Sequence, residues 1–215
     1  MKCNICENKD LHLIEVKNKS GLKKYHRCKE CNFIFIDEAH ILTLEEECKR
    51  YEVHNNEISD PSYRSYFKKF LKYIEDDLDK NNTILDYGSG PQPVLADVML
   101  EYGYKVDIYD KFFYNKKDYL DKEYDVIIST EVFEHIYNPI ETLNTLLSTL
   151  KKNGKLILMT AVSPPTDEEF RRWWYIQDPT HVVFYNEKTF EAIGRKYDLN
   201  IIKYNYKNII IFQRR

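Results

Sequence analysis

The chain has 215 residues, 43% of them hydrophobic and 31% charged, with a formal net charge of −3. That length can bury one full-sized core plus a small appendage, and the balance argues against disorder and against a nucleic-acid binder that relies on a broadly basic face. No apolar run reaches signal-peptide or membrane-spanning length, so a cytoplasmic protein with no membrane partner is expected.

The N-terminal segment opens MKCNICENKD and carries Cys3-x-x-Cys6, followed by Cys28-x-x-Cys31. In a reducing compartment paired thiols are more often metal ligands than disulfides, and two such pairs suit a tetrahedral four-thiolate zinc. Cys3, Cys6, Cys28 and Cys31 are therefore the expected ligands of a structural zinc. His12 and His26 are candidate substitute ligands, although a solvent-facing or hydrogen-bonded role is expected for each, and iron in a rubredoxin-like site is the minority alternative. Residues 1–36 are too short to bury a self-sufficient core, and bound metal would supply the missing folding free energy. Glu7 and Asn32 stand where a glycine commonly follows each second cysteine, which predicts looser knuckles. Cys48 stands alone and is expected to be an inert thiol. Residues 37–60 turn acidic and polar and read as a linker, leaving 61–215 as the main domain.

Asp60 can cap a helix with Pro61 at its first position, and Tyr63, Tyr66, Phe67, Phe70, Leu71, Ile74 and Leu78 then recur at helical spacing. From Thr83 onward strand-like and helix-like runs alternate, as a parallel sheet covered by helices requires. TILDY reads as a buried strand, and Val94, Leu95, Val98, Met99 and Tyr102 as the stripe of a helix closed by Gly103. KVDIYD and YDVIIS are further strands. Asn138 and Pro139 start another helix, with Glu141 placed to complete a capping box. After strand KLILMT, Asn186 caps a helix carrying Phe190, Ile193 and Tyr197. The closing runs NIIKYNY and NIIIF are separated only by Lys207 and Asn208, which predicts an antiparallel hairpin at the sheet edge.

The segment LDYGSGPQPVLADVM places Asp86 at a strand end and Gly88 and Gly90 in the following turn. Ligands of open α/β sheets bind at the carboxyl ends of such strands. Asp110 ends the next strand, where a carboxylate can accept hydrogen bonds from both hydroxyls of a ribose. A nicotinamide dinucleotide fits less well, because Pro93 replaces the third glycine of that fingerprint and an acid precedes the first. S-Adenosylmethionine presents an ammonium, so an acid beside the glycine turn is electrostatically sensible, and Asp86 is assigned there.

DYGSGP, then YD at 109–110, then the STEVFEH run after a later strand resemble class I S-adenosylmethionine-dependent methyltransferases over roughly residues 61–215. The resemblance implies an α/β, Rossmann-like fold with a mostly parallel seven-stranded sheet, helices on both faces and an antiparallel edge strand, joined to a small zinc ribbon. It also implies that Tyr87, Gly88 and Gly90 line the methionine moiety, that Asp110 holds the ribose and that Phe112 packs on adenine. Thr130 and Glu131 would border the transferring methyl. Asp118 and Asp121 are both candidates for contact with the adenine amine. Gln92 occupies the family's third glycine position.

Methyl transfer is an in-line displacement at an activated carbon, so the enzyme mainly aligns an acceptor and, where needed, removes its proton. In EVFEHIYNP the candidates near the acceptor are Glu131, Glu134 and His135. The long aromatic segment AVSPPTDEEFRRWWYIQDPTHVVFYNEKTF resembles the acceptor side of small-molecule methyltransferases. His181 is expected as base or acceptor-orienting group, with Trp173, Trp174, Tyr175 and Tyr185 walling the pocket. The plainer alternative has these aromatics covering the sheet edge and His181 bonded to Asp178. A small metabolite or biosynthetic intermediate is the leading acceptor, methylated on O, N or C. One alternative is RNA base methylation, helped by Lys17, Lys19, Lys23, Lys24, Arg27 and Lys29. The other is a non-catalytic cofactor-binding scaffold, motivated by the departure at Gln92.

Overall fold

The first strands form an antiparallel meander of β1 (Leu11–Asn18), β2 (Gly21–Cys28) and β3 (Ile34–Ile36). In this computed structural model residues 1–18, 21–52 and 59–215 are described. Lys19 and residues 53–58 of the expected linker lie outside them. Alternation in the first two strands buries Ile14, Val16 and Tyr25 on one face. The stretch 37–60 is more than a linker: it contains a 3-10 turn at Glu38–His40 and α1 (Leu44–Glu52). Thr43 and Glu46 hold the start of α1 reciprocally, the Glu46 amide reaching Thr43 Oγ1 at 3.3 Å and the Thr43 amide Glu46 Oε2 at 2.9 Å. In α2 (Pro61–Ile74) Asp60 accepts from the Ser62 and Tyr63 amides, as its sequence predicts, and Phe67, Phe70, Leu71 and Ile74 face inward.

The alternating region supplies β4 (Ile84–Tyr87), α3 (Val94–Glu101), β5 (Val106–Tyr109), β6 (Tyr124–Thr130), α4 (Pro139–Thr149) and β7 (Leu150–Met159). It continues through α5 (Asp167–Arg172), β8 (Val183–Phe184), α6 (Glu187–Tyr197), β9 (Leu199–Tyr204) and β10 (Ile209–Arg214). The main sheet runs β5-β4-β6-β7-β10-β9. Its first four strands are parallel, and the last two form the expected antiparallel hairpin at the edge. Asn186 caps α6 by accepting from the Thr189 amide. Asn138 makes no side-chain cap, so the box expected with Glu141 does not form, and Pro139 at the first turn starts α4 instead.

Six strands, rather than seven, make this sheet among the described residues. Between β5 and β6 residues 110–123 hold a tight turn and a 3-10 helix at Asp118–Asp121, which is too little chain for an added strand and its crossover. Both faces are covered. On β6, β7 and β10 the residues Val126, Ile128, Ile157, Met159, Ile209 and Ile211 pack towards α2 and α3. Their neighbours Ile127, Leu156, Leu158, Ile210 and Phe212 point the other way, towards α4 and α6.

The N-terminal strands do not stand apart. Their sheet is completed by β8, in the order β1-β2-β3-β8, with Ile34 opposite Phe184 and Phe35 opposite Val183. One buried cluster runs from Cys3, Tyr25 and Phe35 through Phe170 and Phe184 to α4 and α6. Arg27, only 8% exposed, bonds Asp167 of α5 at 3.1 Å. No helix among the described residues is long and apolar enough to cross a membrane.

Candidate active site

At the carboxyl ends of the parallel strands lies a cavity of about 580 Å³. All eight residues expected to hold the cofactor line it: Asp86, Tyr87, Gly88, Gly90, Asp110, Phe112, Thr130 and Glu131. Asp86 is buried at the end of β4 and its Oδ1 has no hydrogen-bond partner among the described residues. Burial, and then the charge of Asp110, push its carboxyl up to about 7. Gly88 has φ of 86°, and a Cβ there would lie 2.3 Å from Val132 Cγ2. Only glycine lets the turn after β4 approach the loop after β6 so closely. Asp110 accepts from the amides of Gly90 at 3.0 Å, Phe112 at 2.8 Å and Phe113 at 3.1 Å, which fixes its carboxylate while leaving lone pairs for further donors. An orphaned buried acid, a turn without room for a side chain and a pinned second acid fit the ammonium, backbone and ribose of S-adenosylmethionine. Asp118 and Asp121 are exposed and do not line the cavity.

On the opposite side the loop after β6 carries Glu131, at φ of 54°, and Glu134, which is fully buried. The Tyr175 hydroxyl bridges them, 2.9 Å from Glu131 Oε2 and 2.5 Å from Glu134 Oε1. Burial, and then the Glu131 charge, raise the Glu134 carboxyl well above its usual range. His135 and His181 meet edge to face at 4.7 Å between ring centres, and both line the cavity. Burial, and then His181, lower His135 to about 3.

The aromatic wall differs in part from expectation. Trp174 and Tyr175 line the cavity, whereas Trp173 packs on Phe170 and Phe184, and Tyr185 is buried with its hydroxyl on the Phe133 carbonyl at 3.1 Å. His181 Nδ1 bonds the Tyr175 carbonyl at 2.7 Å, while Asp178 receives the amide and hydroxyl of Thr180. This segment is built into the N-terminal sheet. The Ile36 amide reaches the Val182 carbonyl at 2.8 Å, and the Val182 amide reaches Glu134 O at 2.8 Å.

Several lining residues escaped the sequence reading as site residues. Tyr63 and Phe67 come from α2, and Tyr51 from α1, its ring 5.3 Å from His135 and 5.8 Å from Phe112. The capping box Thr43-x-x-Glu46 was the available signal for α1.

The four cysteines converge away from this cavity. Cys3 and Cys31 sulfurs lie 3.6 Å apart and those of Cys6 and Cys28 3.4 Å apart, near the edge of about 3.8 Å of a tetrahedron with metal–sulfur bonds of about 2.3 Å. The knuckles are not loose. Glu7 at φ of 63° and Asn32 at φ of 56° take up the left-handed conformation a glycine would use. Their amides return to the Cys3 and Cys28 carbonyls at 3.0 and 2.9 Å. Their shared hydrogen bond lowers the Cys3 thiol to about 5 and raises that of Cys31, while burial pushes Cys28 up to about 11, so all four ionise together only beside a cation. His12 and His26 instead pair with Asp167 and Asp37. Cys48 lies on α1 as a half-buried free thiol outside the cluster.

Strand order, glycine turn and strand-end acids together define a class I, Rossmann-like methyltransferase fold. The chain belongs to the methyltransferase domain family, whose model matches residues 59–204. Magnesium protoporphyrin IX methyltransferase from Synechocystis PCC 6803, solved with bound SAH, is 14% identical, with 71% of this chain and 84% of that one covered and a TM-score of 0.50. A methyltransferase structure from Bacillus halodurans, described as putative, is 15% identical over 65% of this chain and 71% of its own, with a TM-score of 0.49. The PH0226 protein of Pyrococcus horikoshii is 16% identical over 78% and 99%, with a TM-score of 0.48. No curated protein sequence matches the chain.

Proposed function

We propose that the protein transfers a methyl group from S-adenosylmethionine to a small metabolite or biosynthetic intermediate. The supporting observation is one cavity that joins Asp86, Gly88, Gly90 and Asp110 to Glu131, His135, Tyr175 and His181. Its size is that of sites for small ligands. The donor supplies a methyl carbon already activated by a sulfonium, so alignment is the main task left to the protein. Asp86 holds the ammonium, Asp110 accepts the ribose hydroxyls, and Tyr87, Gly88 and Gly90 line the methionine part. Phe112 packs on adenine, while Thr130 and Glu131 border the methyl. His181, with His135, orients the acceptor or takes its proton. Arg27, buried on Asp167, is withdrawn from the surface cations that an RNA substrate would use. Cys3, Cys6, Cys28 and Cys31 hold a structural zinc that braces the acceptor side through β3 and β8.

Calorimetric titration with S-adenosylhomocysteine tests the reading. Binding to the wild type, and at least about tenfold weaker binding to Asp110→Ala, are expected. A wild-type protein that binds neither the donor nor this product would refute it.

A further inference from the structure

Beneath the acceptor side of the cavity, Glu134, His135 and His181 each bring one ligand atom to within 4.8 Å of the others. They come from two separate segments, the 3-10 turn Phe133–His135 and the turn before β8. His135 Nδ1 lies 3.0 Å from the Thr180 carbonyl and His181 Nδ1 lies 2.7 Å from the Tyr175 carbonyl. A carbonyl only accepts, so each Nδ1 carries the proton and each Nε2 carries the lone pair. Metal-ligating histidines are oriented by this outer hydrogen bond. Glu134 is 0% exposed, and its Oε1 takes the Tyr175 hydroxyl. Its Oε2 is buried and has no hydrogen-bond partner among the described residues. Such an oxygen is costly to bury as a bare anion, so it holds either a proton or a cation.

The geometry points to a divalent metal site formed by Glu134, His135 and His181, taking a first-row transition cation that binds an oxygen of the acceptor. Two imidazoles and one carboxylate suit such ions better than magnesium or calcium, which prefer all-oxygen shells. Three protein ligands leave open positions, as catalytic metal sites require. The cation site rests on these three side chains alone; its service to an acceptor rests on the methyltransferase reading above. An acceptor hydroxyl bound there loses its proton to solvent. The oxygen lone pair forms the bond to the methyl carbon, and the methyl–sulfur bond breaks with its electrons remaining on sulfur. Glu131 is tied to Glu134 through the Tyr175 hydroxyl, which bonds both carboxylates.

To test the site, the full-length protein is dialysed against EDTA, restored with one equivalent of Zn2+ to satisfy the thiolates, and titrated with Mn2+. Free ion is followed by electron paramagnetic resonance. One bound Mn2+ per chain is expected, with affinity at least about tenfold lower in His181→Ala and in Glu134→Gln. Electron spin echo spectra of the wild-type Mn2+ form should carry imidazole nitrogen modulation, and this measurement decides the matter if the variants do not fold. Absent binding, unchanged affinity in folded variants, or spectra without nitrogen coupling would each overturn the proposal. S-Adenosylhomocysteine binding is measured on the same samples. Loss of Mn2+ with that binding intact refutes only the metal site, whereas Mn2+ binding by a protein that ignores the donor product refutes only the methyltransferase reading.

Discussion

Asp86 carries an electrostatic cost when ionised, which a proton or a cationic ligand offsets. With its carboxyl raised to about 7, the ligand-free protein retains a proton there that the unfolded chain has lost above the usual aspartate range. The folded state then binds more protons than the unfolded one between these limits, so this residue's contribution to stability falls as pH rises towards 7. Binding of an ammonium runs the other way, because it requires the ionised acid. S-Adenosylhomocysteine affinity should therefore climb by up to about tenfold per pH unit below 7 and level off above it, as calorimetry across pH can check. Asp86→Asn should weaken that binding by at least about tenfold while leaving the melting temperature of the free protein unchanged or higher. The placement of Asp86 and Asp110 beside the cavity was legible in the sequence because each acid closes a strand-like run and ligand cavities of open α/β sheets lie at those strand ends. Glu7 and Asn32 were misread because a missing glycine does not forbid positive φ. It only raises the cost, least for asparagine. Trp173 and Tyr185 were misplaced because an aromatic residue does not announce which way its ring faces.

Among the elements, α1 shows how a boundary signal can be overlooked when composition is polar. Its sequence LEEECKRYE reads as linker, yet the Thr43–Glu46 box starts a helix whose last turn lays Tyr51 across His135 and Phe112. Lys111 bonds Glu47 at 2.7 Å and fastens the same helix to the loop after β5. Thr43→Ala should cost the helix about 1 kcal/mol. Because the loss is local, α1 amides should exchange faster while the melting temperature moves by no more than a few degrees, measurable by hydrogen exchange and calorimetry. The parallel strands and the closing hairpin were readable from apolar runs and turn residues. The missing seventh strand was not, since the resemblance suggested it while the short chain between Tyr109 and Tyr124 denied it. Two-residue β8 carries no pattern of its own, and its partner β3 lies far away in sequence.

At the scale of the molecule, the cysteine knuckles and the acceptor wall share a sheet and a core. Cys31 O receives the Thr189 hydroxyl at 2.9 Å, Asn32 O receives the Asn186 amide group at 2.9 Å, and Lys196 reaches the Ile5 carbonyl at 3.1 Å. The glycine turn and its acids sit instead on β4 and β5. Chelation, or Cys28→Ser, should therefore lower the melting temperature and weaken the near-ultraviolet signal of Tyr25, Phe170 and Trp173. Affinity for S-adenosylhomocysteine should change little. Loss of donor binding on chelation would contradict this division of labour. Pairing of β3 with β8 also sets an order of events during synthesis. The strand Ile34–Ile36 leaves the ribosome early, but Val183 and Phe184 follow only after most of the chain has been made, a wait on the order of ten seconds at ordinary elongation rates. Until then an apolar edge stands open to any other strand, including that of a neighbouring nascent chain. Premature termination before residue 183 would leave it open permanently.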